Sequence, residues 1–411
     1  MKPRVLIATT SRWVPTARLA MALADSGCIV DAVCPRRHPL GKIWAIRKLY
    51  PYRGLTAMHS FVDAIEASRA DLIVPGDDLA TSHLHRLYNL ALQHGPAGQE
   101  TCELIERSLG SPESFPVVYA RSAFMELARQ SGVRAPQTEV IANLEQLRNW
   151  ISRVGLPTVL KANGTSGGDG VRVVYTFEEA EKAFRTLQAP PLLLRALKRA
   201  VVDQDKTLVW PSLLRYRSVV NAQEFVSGRE ATSAVACWKG EVLGSLHFEV
   251  LNKRDSAGPS SVVRLIANPE MAVAAETMVQ RLNLSGLHGF DFMLDTHTGD
   301  AHLIEINPRA TQVGHLTLGP GRDLPAALYA ALSGQSIRPA ARITDNDTIA
   351  LFPQEWTRDP ASPFLQSGYH DVPWGEPELL RACAGKGRKP GDPDFPGRPV
   401  RALSPVRLPR A

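Results

Sequence analysis

The segment from Asp291 to Arg309 constrains the fold of this chain more than any other part of its sequence. A short apolar stretch follows Asp291. A second apolar stretch leads directly into Glu305-Ile-Asn307-Pro-Arg309. We expect the two stretches to pair as a hairpin, which brings Asp291 beside the second strand. Glu305 and Asn307 are two residues apart, so their side chains face the same way. Two carboxylates and a carboxamide oxygen on one surface suit Mg²⁺, whose coordination phosphate oxygens and water normally complete.

A simpler interpretation of these acids is that each lies on a strand and points to solvent. That interpretation accounts for a single glutamate. It accounts poorly for an acid followed by Asn-Pro-Arg directly after the apolar pair Leu303-Ile304. We therefore predict a magnesium site on this hairpin.

A second segment combines a lysine at a strand end with a glycine-rich turn. It reads Val159-Leu-Lys161-Ala-Asn-Gly-Thr-Ser-Gly-Gly-Asp-Gly170-Val. A lysine in that position can reach phosphate oxygens, and the exposed backbone N–H groups of such a turn can bind an anion. A hairpin with a glycine-rich loop is, on its own, also a common structural device. The turn is not a P-loop, because no Gly-Lys-Ser/Thr closes it.

A third segment, from Gln223 to Val226, is followed closely by Glu230. A strand here can offer backbone groups to an adenine edge. An acid a few residues later can accept hydrogen bonds from ribose hydroxyls. Taken alone, the segment is better explained as a strand followed by a turn.

The N-terminal part of the chain alternates strands with helices. The predicted strands are Arg4 to Thr10, Cys28 to Cys34 and Asp71 to Asp78, and the predicted helices are Ala17 to Ser26, with Thr16 as N-cap and Gly27 beyond its end, and Phe61 to Arg69. This alternation is typical of an open parallel sheet. Ligands of such sheets bind beyond the carboxyl ends of the strands, where Thr9, Thr10, Asp77 and Asp78 would lie. No GxGxxG follows the first strand, which argues against a dinucleotide.

In this order, the three segments resemble the ATP-grasp superfamily over a match from about Tyr119 to Gly334. The Rossmann-like N-terminal unit resembles the pre-ATP-grasp domain that usually precedes it. The Glu-Ile-Asn-Pro-Arg ending and Arg121 are most similar to the carbamoyl-phosphate synthase large-subunit and amino-acid ligase branch. The resemblance implies an α/β chain in which a Rossmann-like pre-ATP-grasp domain precedes an ATP-grasp α+β fold.

We predict four parts along the chain. They are the pre-ATP-grasp domain at 1–115, the ATP-grasp small subdomain at 116–190, the large subdomain with the metal site at 191–340, and a C-terminal extension at 341–411 whose end we expect to be disordered. The link 192–219 is longer than usual, and it is a substrate lid, a basic surface helix or, most simply, a solvated insertion. The extension contains Phe352-Pro-Gln-Glu355-Trp356 and matches no biotin-carboxylase or synthase domain. We expect its aromatic residues to be structural, although it could pack against the ATP site.

The resemblance also implies roles for individual residues. Arg121 and Lys161 would bind the α- and β-phosphates, and Glu230 would hold the ribose. Arg309 would stabilise the transferring phosphoryl group and could also hold the substrate carboxylate. The loop closing over the γ-phosphate would contain Thr165, Ser166, Gly167, Gly168 and Gly170, and the adenine-binding hinge would be Gln223, Glu224, Phe225 and Val226. The ligands of Mg²⁺ or Mn²⁺ would be Asp291, Glu305 and Asn307. Either Lys253 or Arg254 would add a contact to the γ-phosphate.

The activity that this resemblance implies is a carboxylate–amine or carboxylate–thiol ligase using ATP and Mg²⁺. A small-molecule acid would be activated as an acyl phosphate, and an amine would then displace the phosphate. A kinase acting on a hydroxyl is a second interpretation, and an ATP-binding regulatory protein with slow turnover is a third. The intact set of Asp291, Glu305, Asn307 and Arg309 argues against the third.

Composition excludes several other classes. The net charge of +6 is mild, and much of the excess lies in a basic C-terminal stretch without interleaved aromatic residues, so we expect no nucleic-acid groove. The five cysteines form no CxxC pair, which argues against a zinc site or a disulfide scaffold. The sequence has no apolar run long enough to predict a membrane span or a signal peptide, so we expect a cytoplasmic protein. A homodimer is the commonest default among oligomers.

Overall fold

The computed structural model describes residues 2–163, 170–189, 218–255, 258–336 and 340–384. Within these ranges no helix has the length and apolar character needed to cross a membrane. The strands of the described residues form a four-stranded N-terminal sheet, a four-stranded small sheet and a seven-stranded large sheet.

The N-terminal sheet is parallel, as the alternation of strands and helices predicts. Its strands are β1 (Arg4–Ala8), β2 (Ile29–Cys34), β3 (Ile46–Pro51) and β4 (Leu72–Pro75). The helices of this part are α1 (Val14–Asp25), α2 (Ala57–Ser68), α3 (Asp78–Gln93) and α4 (Gln99–Leu109). The strand order is β3-β2-β1-β4. Ile7 of β1 packs in a core with α1, and its neighbour Leu6 packs in a second core with the other three helices. The sheet is therefore covered on both faces.

Helix α1 begins three residues earlier than the sequence predicts. Trp13 occupies the N-cap and Pro15 lies in the first turn, so Thr16, the predicted N-cap, is inside the helix and buried. Proline is favoured in this turn because its missing N–H would have had no partner within the helix. Gly27 follows the C-cap with φ of +106°, a conformation that favours glycine, as predicted.

The small sheet is antiparallel. Its strands are β5 (Thr138–Ile141), β6 (Thr158–Ala162), β7 (Val171–Val174) and β8 (Val220–Glu224). The helices before and within it are α5 (Phe115–Tyr119), α6 (Arg121–Gln130), α7 (Leu144–Val154) and α8 (Phe177–Gln188). The order is β5-β8-β6-β7. Trp150 of α7 and Phe184 of α8 are buried against Leu160 of β6, so these two helices cover one face of the sheet.

The large sheet carries the predicted metal hairpin at one edge. Its strands are β9 (Gly228–Trp238), β10 (Glu241–Lys253), β11 (Ser260–Leu265), β12 (Gly286–Asp295), β13 (Ala301–Asn307), β14 (Thr348–Leu351) and β15 (Tyr369–Asp371). The remaining helices are α9 (Pro269–Arg281), α10 (Leu324–Ser333), α11 (Gln354–Arg358), α12 (Phe364–Ser367) and α13 (Pro377–Ala384). The order is β13-β12-β9-β10-β11-β14-β15. The segment predicted as a C-terminal extension therefore contributes β14 and β15 to this sheet.

The N-terminal sheet and the large sheet share one hydrophobic core. Ile7 and Val74 of the N-terminal sheet belong to the same buried cluster as Leu246 and Phe248 of β10. Leu316, in the loop after β13, belongs to that cluster too. Burial of apolar surface thus fixes the hairpin loop against the N-terminal sheet.

Candidate active site

The three predicted metal ligands come together on the hairpin of β12 and β13. In its register Asp291 lies opposite Glu305, and Gly289 lies opposite Asn307. Asn307 Nδ2 donates to Asp291 Oδ2 at 2.8 Å. Thr232 Oγ1, on the neighbouring strand β9, donates to Asp291 Oδ1 at 2.9 Å. These bonds orient the aspartate and the amide on the surface that also carries Glu305.

The surroundings push the pKa values of the two carboxyl groups in opposite directions. Burial and the charge of Glu305 raise the pKa of Asp291, against the lowering effect of its hydrogen bonds from Asn307 and Thr232. Burial also acts to raise the pKa of Glu305. The positive charges of Arg121 and Lys161 outweigh it and lower the pKa of Glu305. Glu305 is thereby held as an anion beside two cations.

Arg121 and Lys161 approach Glu305 from two different elements. Arg121 is the first residue of α6, and its Nη1 lies 2.8 Å from Glu305 Oε1. Lys161, on β6, is buried, and burial lowers its pKa to about 8; Glu305 opposes this shift and Arg121 reinforces it. Cations gathered beside carboxylates in this way can balance the charge of phosphate groups.

Arg309 lies in the loop after β13 and is held from both sides. Its Nε donates to Asp78 Oδ1 at 3.2 Å, and its Nη2 donates to Asn307 Oδ1 at 3.2 Å. The guanidinium also lies over the ring of Trp13, 5.5 Å from the centroid. Asp78 and Trp13 belong to the N-terminal part of the chain, so the orientation of Arg309 depends on residues far from it in sequence.

The backbone of this loop is hydrogen-bonded to the N-terminal sheet. Ala310 N donates to the carbonyl of Pro75, the last residue of β4, at 3.1 Å. Thr81 Oγ1 of α3 donates to the carbonyl of Pro308 at 2.8 Å. The two bonds place the residues on either side of Arg309 at the carboxyl edge of the N-terminal sheet.

Asp77, predicted to lie at that edge, interacts with its neighbours in the protein. Its carboxylate accepts from Thr9 Oγ1 at 2.7 Å, Thr10 N at 2.6 Å and Ser11 N at 3.1 Å. It also accepts from Ala80 N at 2.9 Å, so it caps α3. The predicted edge residues Thr9, Thr10 and Asp77 thus organise the loop after β1.

The predicted adenine-binding segment runs from the small sheet to the large sheet. Gln223 is buried, and its Nε2 donates to Thr138 Oγ1 at 3.0 Å. Glu224, the last residue of β8, is exposed. Phe225 and Val226 connect β8 to β9 and are partly buried. The predicted strand therefore ends two residues earlier than expected.

Glu230 and Lys253 line an open cleft between the ends of β9 and β10. The cleft has a volume of about 600 Å³. Lys253 Nζ donates to Glu230 Oε1 at 2.7 Å. Arg254, the alternative to Lys253, also lines the cleft, and its Nε donates to Asp255 Oδ2 at 3.2 Å. The structure brings both candidate cations to the same cleft.

Several predicted residues lie outside the described part of the chain. They are Thr165, Ser166, Gly167 and Gly168 of the glycine-rich turn, most of the link 192–219, and the C-terminal stretch from Gly385. Gly170 is described, and its carbonyl accepts from Ala162 N at 2.9 Å where β6 and β7 meet.

The structure adds residues that sequence reasoning did not connect to the site. Thr232 holds Asp291, and Trp13 lies against Arg309. Asp78 was placed at the edge of the N-terminal sheet, but nothing in the sequence paired it with Arg309. Thr232 gave no sequence signal either, because it faces Asp291 only in the register of β9 with β12, which the assembled sheet provides.

The oxygen atoms of the hairpin fit a magnesium ion. Mg²⁺ is usually held by one or two carboxylates together with phosphate oxygens and water. Asp291 and Glu305 supply two carboxylates, and the Asn307 oxygen that accepts from Arg309 has a second lone pair. The described residues contain no cluster of three or more His, Cys, Asp or Glu side chains, as expected for a set of two acids and an amide.

A Rossmann-like parallel sheet, followed by a small and a large sheet with these charged groups, defines an ATP-grasp protein. Residues 120–318, just under half of the chain, match the family described as "Carbamoyl-phosphate synthase L chain, ATP binding domain". The predicted ATP-grasp membership and fold class are confirmed.

Similarity to curated carbamoyl phosphate synthase large chains supports the same assignment. The chain is 23% identical over 215 residues to the N-terminal section of the carbamoyl phosphate synthase large chain of Aquifex aeolicus, covering 51% of this chain and 35% of that protein. It is 22% identical over 215 residues to the large chain of Thermus thermophilus, covering 52% of this chain and 19% of that protein. The chain thus corresponds to a minor part of each relative.

Solved structures share the fold over most of the chain. One is the biotin carboxylase domain dimer of the Hydrogenobacter thermophilus 2-oxoglutarate carboxylase with MgADP, ADP and bicarbonate, with 15% identity, a TM-score of 0.57, and coverage of 83% of this chain and 72% of that chain. Another is the N5-carboxyaminoimidazole synthetase of Staphylococcus aureus with ADP, with 13% identity, a TM-score of 0.56, and coverage of 83% and 81%. At these identities the likeness concerns the fold.

Proposed function

We propose that this chain is an ATP- and Mg²⁺-dependent ligase that activates a small-molecule carboxylate as an acyl phosphate for attack by an amine. The observation that carries the proposal is the cluster of acids and cations on the hairpin and its neighbours: Asp291, Glu305 and Asn307 with Arg121, Lys161 and Arg309. The family of the central domain is described as ATP-binding, which agrees with this chemistry.

Each part of the cluster has a role in this proposal. Asp291, Glu305 and Asn307 would hold Mg²⁺ (or Mn²⁺), which would supply positive charge to neutralise the phosphates of ATP. Arg121 and Lys161 hold the α- and β-phosphates. The buried position of Lys161 strengthens its attraction to phosphate, because little water screens its charge.

Nucleotide binding also uses the segment between the two sheets. The backbone from Gln223 to Val226 contacts the adenine, and Glu230 accepts from the ribose. Lys253 exchanges its bond with Glu230 for one with the terminal phosphate. The 2.7 Å separation of Lys253 and Glu230 means that both groups already lie at the same cleft.

Arg309 acts where the phosphoryl group is transferred. The acid's carboxylate attacks the γ-phosphate, and Arg309 stabilises the negative charge on the group in transfer. Its contacts with Asp78, Asn307 and Trp13 fix the guanidinium before the substrate arrives. The amine then attacks the acyl carbon and phosphate leaves, so no side chain of the protein needs to form a covalent bond.

A substrate screen tests the proposed function. Purified protein is incubated with MgATP and panels of carboxylic acids and amines, ADP and phosphate are measured, and products are identified by mass spectrometry. We expect ADP, phosphate and an amide to form together, and the Glu305→Gln variant to form them about a hundred- to a thousandfold more slowly. A phosphorylated hydroxyl compound as the product, with no amide from any pair, would contradict the proposal.

A further inference from the structure

The short helix α11 contains a buried glutamate whose hydrogen-bonding capacity is filled. Glu355 is 0% exposed and accepts from Ser261 Oγ at 2.6 Å and from Ser362 Oγ. Asn252 Nδ2 lies 3.5 Å from its Oε1. Arg358 donates to it twice, through Nε at 2.9 Å and Nη2 at 2.6 Å. Burial acts to raise the pKa of Glu355, but these donors prevail and lower it to about 2.

This arrangement fixes the guanidinium of Arg358 in one orientation. Nε and one N–H of Nη2 are used on Glu355, which leaves Nη1 and the second N–H of Nη2 for other partners. Nη1 has no hydrogen-bond partner among the residues that the structure describes. Arg358 is one of the residues that line the cleft of Glu230 and Lys253.

Arg358 differs from the other two cations of that cleft. Lys253 and Arg254 are paired with Glu230 and Asp255, and both of these acids line the cleft themselves. Glu355 is buried behind Arg358 and does not line it. Arg358 Nη2 also has a longer ion pair with Oδ2 of the exposed Asp359, at 3.9 Å, and Asp359 does not line the cleft either. A group entering the cleft therefore meets the Arg358 guanidinium, while Glu355 is covered by protein.

Helix α11 is also linked to the loop that carries Arg309. Gln354, at the start of the helix, donates through Nε2 to Gln312 Oε1 at 3.1 Å. Gln312 in turn donates to the carbonyl of Ser260 at 3.0 Å. The helix that presents Arg358 is thus held both to β11 and to the loop following the metal hairpin.

We propose that Arg358 binds an oxyanion of the reactants in this cleft and that Glu355 holds it in position. The inference rests on the proposed function, which supplies two groups of this chemistry: the terminal phosphate of ATP and the carboxylate of the acid. A guanidinium with a free edge suits either, because both present oxygens that can accept parallel N–H bonds.

Calorimetry with three probes separates the two sources. MgADP, Mg-AMPPNP (an ATP analogue that keeps the third phosphate) and malonate in the presence of MgADP are titrated into wild-type protein and Arg358→Gln. The Glu355→Gln/Arg358→Gln double variant is included because it leaves no buried carboxylate without its cation. Arg342→Gln is the matched control, since Arg342 also pairs with a carboxylate, Asp347 at 2.8 Å, and does not line the cleft.

We expect the Arg358 variants to lose about ten- to a hundredfold in affinity for one probe, and the control to change by less than about twofold. Weaker binding of Mg-AMPPNP with unchanged binding of MgADP identifies the terminal phosphate as the ligand. Weaker binding of malonate with unchanged binding of both nucleotides identifies the carboxylate as the ligand. Folded variants that bind Mg-AMPPNP like wild type, with malonate binding absent or unchanged, overturn the inference alone. A wild-type chain that binds neither nucleotide contradicts the proposed function and this inference with it.

Discussion

Glu305 and Glu355 are both paired with an arginine, yet their surroundings suit opposite tasks. Glu305 meets Arg121 and keeps 30% of its side-chain surface exposed. Glu355 meets Arg358, is 0% exposed, and receives further donors from two serines and an asparagine. Nearby donors or cations lower both pKa values. A carboxylate whose lone pairs are filled by protein can only hold its partners, whereas one with an open edge can also bind a metal.

The largest expected effect is on turnover in the Glu305→Gln variant. Glutamine keeps the size but turns an NH₂ group toward a bound cation, so the transition state loses electrostatic stabilisation. We expect a loss of about a hundred- to a thousandfold in rate, about 3 kcal/mol or more, in a protein that stays folded. Steady-state ADP release and a thermal melt measure the two quantities. A folded variant within about twofold of wild-type turnover would mean that Glu305 is a solvated strand residue, since surface changes usually stay within about 0.5 kcal/mol.

The Glu355→Gln variant should instead lose stability. At neutral pH we expect the free energy of unfolding to fall by about 3 kcal/mol, the value that corresponds to the lowered pKa. Because the pKa is lower in the folded protein, this contribution is present above the ordinary glutamate pKa of 4.5 and is lost as pH falls from there through about 2. Urea unfolding of both proteins across that range checks the sign. A difference between them that grows on acidification would contradict the assigned ion pair.

Lys161→Ala tests the second cation beside Glu305. Loss of a buried charge that faces the phosphates should weaken MgATP binding by about tenfold. Lys182→Ala, an exposed lysine on α8, is the matched control. Equal nucleotide affinity of both variants and wild type would mean that Lys161 has a structural role.

The smallest effect is expected from deletion of Gly385 to Ala411. The stretch has few apolar residues that could contribute to a core, so melting temperature and nucleotide affinity should stay near those of the full chain. The contacts of Glu355 within the described residues come from Asn252, Ser261, Arg358 and Ser362, so its stability contribution should also be unchanged. A large fall in melting temperature would show that the stretch supports the fold.

Local patterns account for the parts of the molecule that the sequence predicted well. The parallel N-terminal sheet and the hairpin of β12 and β13 follow from periodicity and from turns that join neighbouring segments. The two-residue spacing of Glu305 and Asn307 determined that both face one surface. The start of α1 was predicted wrongly because a proline in the first turn competes with a threonine cap for the same boundary.

Contacts between distant segments could not be read from the sequence. Asp78 and Arg309 are 231 residues apart, and no local rule pairs them. β14 was not expected in the large sheet, because four residues without a hairpin partner give a weak signal. The roles of Glu355 and Arg358 depend on β11 and on Ser362 being adjacent, which only the assembled fold provides.

The hydrogen bonds from Ala310 to Pro75 and from Thr81 to Pro308 bear on how such proteins can be recombined. They fasten the Arg309 loop to a domain that could otherwise be regarded as an interchangeable module. A chimaera receiving a foreign N-terminal domain would also exchange Asp78, the acid that orients Arg309. Such a graft preserves the orientation of Arg309 when the incoming domain brings an acid to the start of the same helix. Otherwise it leaves the hairpin of β12 and β13 intact, with Arg309 no longer held in place.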